Sequence, residues 1–161
     1  MPEVAYFDSA LWVAILADEP SAHDILTLIL DIKEGRGRIL TSILTLTEIS
    51  VRAYREDPTR VAIGVELVSQ TASICNVTDE VALLTARIEA MYPSAIWAGE
   101  EGPRRRRWDA LHLASAAVFG ARIFYTLDRR LLNADLSAVP EIPPRRRPQP
   151  PQASLNLPAV P

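Results

Sequence analysis

Short apolar runs alternate along the chain with segments whose apolar residues return every three or four positions. Val4-Ala5-Tyr6-Phe7 is the first run, and it stops at Asp8-Ser9, a polar pair that hands a buried strand over to a helix through a cap. Leu11 to Ala17 has a helical pattern. Ser21 and Asp24 then resemble a capping box ahead of a helix that carries Ile25, Leu28, Ile29 and Ile32 on one face as far as Lys33. Gly35-Arg36-Gly37 closes that helix, and Arg38-Ile39-Leu40-Thr41 is the second strand. A helix is expected from about Leu46, and another from Asp57-Pro58, with aspartate at the cap and proline in the first turn. Ser73 to Val77 reads as a third strand, and Thr78-Asp79 caps a helix carrying Val81, Leu84, Ile88 and Met91. Residues 93–107 read as an irregular loop ending in four arginines. Asp109 opens a helix of small residues that runs to Phe119 and is stopped by Gly120. Arg122 to Thr126 is the fourth strand and leads into Leu127-Asp128. Strands alternating with helices imply an α/β domain, a mainly parallel sheet of four or five strands wrapped by helices. In such sheets function gathers at the carboxyl ends of the strands.

Composition sets the limits of that domain. The 161 residues are 48% apolar and 23% charged, the range of a globular domain with one core. Eight of the 13 prolines fall between Pro140 and Pro161, interleaved with Arg145-Arg146-Arg147. Such a stretch has little to bury, so the folded unit is expected over residues 1–139 and a disordered or polyproline-like tail over 140–161. The folded part then carries 14 basic against 19 acidic residues, a net of −5, against −3 for the whole chain. Arginine dominates the basic side, Lys33 being the only lysine. A single cysteine, Cys75, excludes an internal disulfide and any cysteine-based zinc site, which suits a reducing cytoplasm. No apolar stretch approaches the roughly 20 residues of a membrane helix, and Met1–Asp8 is unlike a signal peptide, so the expected location is cytoplasmic.

Four acids stand out against this pattern. Asp8 and Asp128 sit at or just past the ends of apolar strands, Glu48 lies one turn into the helix after Ile39-Leu40-Thr41, and Asp109 opens the small-residue helix. Each has a purely local explanation. The three aspartates suit helix N-caps, and Thr45-Leu46-Thr47-Glu48 is a formal capping box worth about 1 kcal/mol. Local capping does not require all four to fall on one edge of one parallel sheet, where they would converge. Converging carboxylates repel, and either raised pKa values or bound divalent cations relieve the repulsion. Oxygen ligands suit Mg²⁺ or Mn²⁺, and an all-acid site of that kind suits phosphodiester hydrolysis.

Taken in order, Val4-Ala5-Tyr6-Phe7-Asp8-Ser9, Thr45-Leu46-Thr47-Glu48, Asp109-Ala110-Leu111-His112-Leu113-Ala114-Ser115-Ala116 and Thr126-Leu127-Asp128-Arg129-Arg130-Leu131 resemble the signature blocks of PIN-domain nucleases. The nearest likeness is to the VapC-type toxins of toxin–antitoxin pairs. The resemblance spans about residues 3–132. It implies a three-layer α/β/α fold and a metal-dependent endoribonuclease, usually dimeric, that a cognate antitoxin holds inactive. By the same resemblance Asp8, Glu48, Asp109 and Asp128 are the catalytic and metal-binding acids for Mg²⁺ or Mn²⁺, with Ser9 and Thr126 in support. The long loop before Arg107 and the tail after Pro140 exceed the family pattern.

Other candidates are weaker. Arg104, Arg105, Arg106 and Arg107 precede Asp109 and suit phosphate contact, or equally a solvated loop balancing Glu100 and Glu101. Trp97 and Trp108 flank that patch and are read as packing anchors rather than base-stacking platforms, and His112 as a packing or hydrogen-bonding residue. Arg129 and Arg130 suit substrate, an antitoxin's acidic tail, or plain solvation. The apolar surface of the first helices is the expected place for self-association. A receiver domain would need a lysine at a strand end, and Lys33 lies on a helix. A haloacid-dehalogenase phosphatase would need Asp-x-Asp where Asp8 is followed by Ser9 and Ala10. Serine-hydrolase and P-loop motifs are missing from the sequence. A catalytically silent PIN-like binding module and a stand-alone RNA-processing nuclease remain as alternatives.

Overall fold

The computed structural model describes residues 2–92 and 102–149. Its centre is a five-stranded sheet in the order β3-β2-β1-β4-β5, parallel at every pairing. The strands are β1 (Val4–Phe7), β2 (Arg38–Ser42), β3 (Ser73–Cys75), β4 (Ile123–Tyr125) and β5 (Arg145–Arg146). Seven helices among the described residues connect them: α1 (Ser9–Leu16), α2 (Ala22–Glu34), α3 (Ile43–Glu56), α4 (Arg60–Thr71), α5 (Asp79–Met91), α6 (Gly102–Val118) and α7 (Arg129–Asn133).

Successive strand side chains point to opposite faces, and the two halves of the core follow from that alternation. Ala5, Phe7, Ile39 and Tyr125 face a cluster built from α1, α2, α3 and α4, with Leu11, Trp12, Ile25, Ile29 and Val68 buried in it. Tyr6, Leu40, Cys75 and Phe124 face the other cluster, with Val81 and Ile88 of α5, Leu113 and three alanines of α6, and Leu131 of α7. This is the expected three-layer α/β/α arrangement. Cys75 is buried, and burial raises its pKa to about 11, so it behaves as a small apolar residue. Among the described residues no helix is long and apolar enough to cross a membrane.

Several boundaries differ from the sequence expectation. Helix α3 starts at Ile43, not near Leu46, because the Ser42 hydroxyl caps it straight off the strand, accepting from Leu44 N at 3.2 Å. Thr45 is therefore inside the helix and bonds the Thr41 hydroxyl at 2.8 Å, so Thr45-x-x-Glu48 is not a capping box. Helix α6 starts at Gly102, which turns Arg104 to Arg107 from expected loop into helix. Pro103 in the first turn and four arginines, good helix formers, explain the earlier start. Asp109 thus lies inside α6 and caps nothing. Ser21 precedes α2 without a side-chain capping bond. Gly120, at φ +73°, ends α6 as expected, in a left-handed conformation that suits glycine.

The largest correction concerns the C-terminal segment. Residues 140–149 belong to the domain, since β5 pairs with β4 through Phe124 N to Pro144 O at 2.9 Å and Thr126 N to Arg146 O at 3.0 Å. Arg145 donates from Nη1 to the carbonyls of Leu131 and Ala134, at 2.9 and 2.8 Å, and so ties the end of α7 to this strand. Proline is compatible with an edge strand that leaves its missing N–H facing outward. The expectation for residues 150–161 lies outside the described residues, as do Trp97, Glu100 and Glu101 of the expected loop.

Candidate active site

Asp8 and Asp128 stand at the junctions that follow β1 and β4, while Glu48 lies in the second turn of α3 and Asp109 inside α6. Asp8 follows β1 and caps α1. Its Oδ1 accepts from Ser9 N at 2.8 Å, and its Oδ2 accepts from the Thr126 hydroxyl at 2.7 Å. The capping and site explanations of Asp8 are therefore both true. Thr126 is fully buried just past β4, and its Oγ1 also accepts from Asp128 N at 3.0 Å. One hydroxyl thus spaces the first and last aspartates. Asp128 caps α7, with Oδ1 accepting from Arg130 N at 2.8 Å. The arrangement of β1 and β2 is braced by Thr41, whose hydroxyl donates to the Phe7 carbonyl at 2.8 Å.

Charge interactions link Asp8 with Glu48, and Asp109 with both Asp8 and Asp128. Burial raises the pKa of Asp8; His112 and Thr126 act against that rise and Glu48 adds to it. Burial, then the charges of Asp8 and Asp128, push Asp109 up to about 7, with Arg130 and His112 in opposition. A carboxyl raised this far by burial, with two neighbouring carboxylates adding to it, marks a place where negative charge is poorly compensated.

Two of the acids have resident partners, Arg130 and His112, and His112 is the hydrogen-bonding residue the sequence allowed. Arg130 forks onto Asp128, with Nη2 to Oδ2 at 2.6 Å and Nε to Oδ1 at 3.1 Å. His112, fully buried one turn after Asp109, places Nε2 at 2.9 Å from Glu48 Oε2 and Nδ1 at 2.7 Å from the Tyr6 hydroxyl. Burial alone would lower the His112 pKa, but Glu48, Asp8 and Asp109 outweigh it and raise it. The signal in the sequence was spacing: His112 is three residues from Asp109 on one helical face, and Arg130 two residues from Asp128 on a cap.

The donor set, oxygen-only and mutually repelling, has the chemistry of a hard divalent cation site. Among the described residues no three His, Cys, Asp or Glu side chains are gathered as ready metal ligands. Arg130 and His112 explain part of that, since they hold Asp128 and Glu48 in their own contacts. Of the other sequence candidates, Ser9 opens α1 and supports Asp8 through its backbone N–H. Arg107 is exposed and pairs with Glu89 at 3.3 Å, while the side chains of Arg104, Arg105 and Arg106 lie outside the described residues. Arg129 is exposed.

A model of the PIN domain matches residues 5–136. No curated protein matches the chain. Among solved structures, a chain of VapBC2 from Rickettsia felis, bound to a DNA fragment from its promoter, superposes with a TM-score of 0.64 at 12% identity, covering 89% of this chain and 98% of that one. DNA-bound VapBC from Salmonella typhimurium gives 0.61 at 19% identity, with 91% and 98% covered. Mycobacterium tuberculosis VapC20, a toxin that cleaves the sarcin–ricin loop, gives 0.56 at 16% identity, with 77% and 89% covered. At such identities the likeness is one of fold.

Proposed function

The chain belongs to the PIN-domain family, and from that membership we propose that it is a Mg²⁺- or Mn²⁺-dependent endoribonuclease, the toxin of a toxin–antitoxin pair. The observation that supports the reading is that Asp109, raised first by burial, is raised further by the charges of Asp8 after β1 and Asp128 after β4, to about 7. Asp8, Glu48, Asp109 and Asp128 would hold the cation. When bound, it supplies an activated water and neutralises charge on the scissile phosphate and the leaving oxygen.

The chain's own residues prepare that chemistry. Thr126 and the α1 backbone fix both oxygens of Asp8, so this carboxylate is oriented before anything binds. Arg130 keeps a guanidinium beside Asp128 and acts on Asp109 as well, a cation placed where a phosphate oxygen must come close to the acids. Arginines on the first turns of α6 would add affinity for the backbone of RNA without reading its sequence.

The proposed protein partner is an antitoxin, since the similar folds include VapBC complexes. A groove of about 240 Å³ between α1, α3 and α4, with Val13, Leu16, Ile49 and Ile63 in its walls, gives a protein partner apolar surface to cover. Self-association into a homodimer is proposed through α2, where Leu26 and Leu30 stand exposed one turn apart. The proposed setting is the cytoplasm, where an RNA substrate for such a site would be met.

The test is incubation of the full chain with a mixed RNA pool, with Mn²⁺ or Mg²⁺ and with EDTA, beside Asp8→Asn. Asparagine caps a helix as well as aspartate, so the variant keeps α1 and removes a ligand charge. Cleavage that needs the cation and falls at least a hundredfold in Asp8→Asn is expected. Equal cleavage by the variant would place the chemistry elsewhere.

A further inference from the structure

Helix α6 carries a second functional side chain besides Asp109. His112 is 1% exposed and is held on both ring nitrogens, by the Tyr6 hydroxyl from β1 and by Glu48 Oε2 from α3. Tyr6 is itself immobile. It is fully buried, its ring stacks on Phe124 with centroids 5.1 Å apart, and it meets the His112 ring edge-on at 6.0 Å. A carboxylate only accepts hydrogen bonds, so Nε2 carries the hydrogen whether the ring is neutral or cationic. In the neutral ring Nδ1 then accepts from the Tyr6 hydroxyl.

Glu48 has the opposite character. It stands in the second turn of α3, its side chain is 33% exposed, and no cap restrains it. A glutamate in that position loses rotamer freedom when it is confined. Asp8 and Asp128 are oriented by backbone N–H groups of the helices they cap. Glu48 lies inside α3, and His112 reaches its carboxylate from the neighbouring helix α6.

We propose that His112 is a positioning residue that fixes the Glu48 carboxylate at the site through a buried Tyr6–His112–Glu48 chain. The chain runs from the core strand β1 through α6 to α3, so it also sets the spacing between the helices that carry Asp109 and Glu48. The proposal rests on the reading of this edge as a cation-dependent site, but the hold on Glu48 is testable without that reading.

Two measurements on the full chain separate the questions. Nitrogen-15 NMR of the imidazole reports an Nε2–H protected from solvent exchange, and its signal should be lost or moved in Glu48→Ala. A solvent-exchanging Nε2–H, or one indifferent to Glu48→Ala, overturns the proposal. Calorimetric titration with Mn²⁺ alone then asks whether the hold matters. His112→Leu should weaken binding about 10–100-fold, while His112→Gln, whose amide can donate to Glu48, should recover most of it. Tyr6→Phe, which frees the ring but keeps its bulk, should fall between. Thermal melts identify any variant that has unfolded. Folded His112→Leu and His112→Gln that lose affinity equally, or not at all, would reduce His112 to a packing residue. A wild-type chain with a protected Nε2–H and no Mn²⁺ binding would instead sink the cation-dependent reading and leave the hold on Glu48 standing.

Discussion

At the scale of single residues, the acids oppose the fold that presents them. Asp109 is the clearest case, since a normal carboxyl titrates near 3.8 and this one is pushed up to about 7 by burial and by two neighbouring aspartates. Asp8 and His112 are also raised. A raised pKa means that the folded state binds protons more tightly than the unfolded one. The stability these groups confer is then complete below the unfolded pKa and is lost as pH rises through the folded value. For Asp109 that window runs from about 4 to about 7, and a rise of that size corresponds to roughly 4 kcal/mol as a ceiling. The cation-free protein should therefore melt at a lower temperature at pH 8 than at pH 5. Asp109→Asn should raise the melting temperature by several degrees at pH 8, by about a third as much at pH 5, and hardly at all below the unfolded pKa. It should also abolish cleavage. A variant that is less stable at pH 8 would mean that Asp109 is held by favourable contacts and not by crowding.

At the scale of elements, the junctions matter more than the elements. The strands that Asp8 and Asp128 follow were legible from their apolar runs: Val4 to Phe7 stops at Asp8-Ser9, and Ile123 to Tyr125 is followed by Thr126 and, two residues on, by Asp128. Proximity of the acids followed from parallel topology, which the strand–helix alternation implied. What was not legible was how the junctions are wired. A threonine just past a strand gives no sign in sequence that it will bridge two aspartates 120 residues apart in the chain, and a histidine read as packing or hydrogen-bonding gives no sign that its partners are Glu48 and Tyr6. Helix α6 was begun too late for a related reason, because four arginines read as solvated loop when their backbone propensity is helical. Thr126 makes the point testable. Thr126→Val keeps the shape, takes the donor from Asp8 and leaves the Asp128 N–H without its acceptor. The cost should be about 1–3 kcal/mol, seen in chemical denaturation, together with a loss of Mn²⁺ affinity. Thr126→Ser, which keeps the hydroxyl, should recover most of both. A valine variant as stable and as active as the parent would show that Thr126 spaces nothing.

At the scale of the whole molecule, the site depends on a segment that composition assigned to a tail. Eight prolines and three arginines hid a two-residue strand, because proline-rich composition argues against regular structure while a parallel edge strand needs only alternate N–H groups. Through that strand the end of the domain reaches the acids: Thr126 N donates to Arg146 O, and the Thr126 hydroxyl holds Asp8. Arg145 pins the carbonyls of Leu131 and Ala134, and so fixes the exit of α7, whose first turn is capped by Asp128. Ending the chain after Val139 removes these four hydrogen bonds, the two ladder bonds and the two from Arg145. At about 0.5–1.5 kcal/mol each, the loss should be about 4 kcal/mol, a fall of roughly 10 °C in melting temperature for a domain of this size. It also leaves β4 as an exposed edge, so association at higher concentration should increase. A chain ending at 149 keeps every one of these bonds and should melt like the full chain, so the comparison of the two truncations isolates residues 140–149. Arg145→Ala, which leaves the strand in place, should show about half the effect and little change in association. If the chain ending at 139 melts with the other two, the domain closes without β5, and the orientation of Asp8 must come from the helix cap alone.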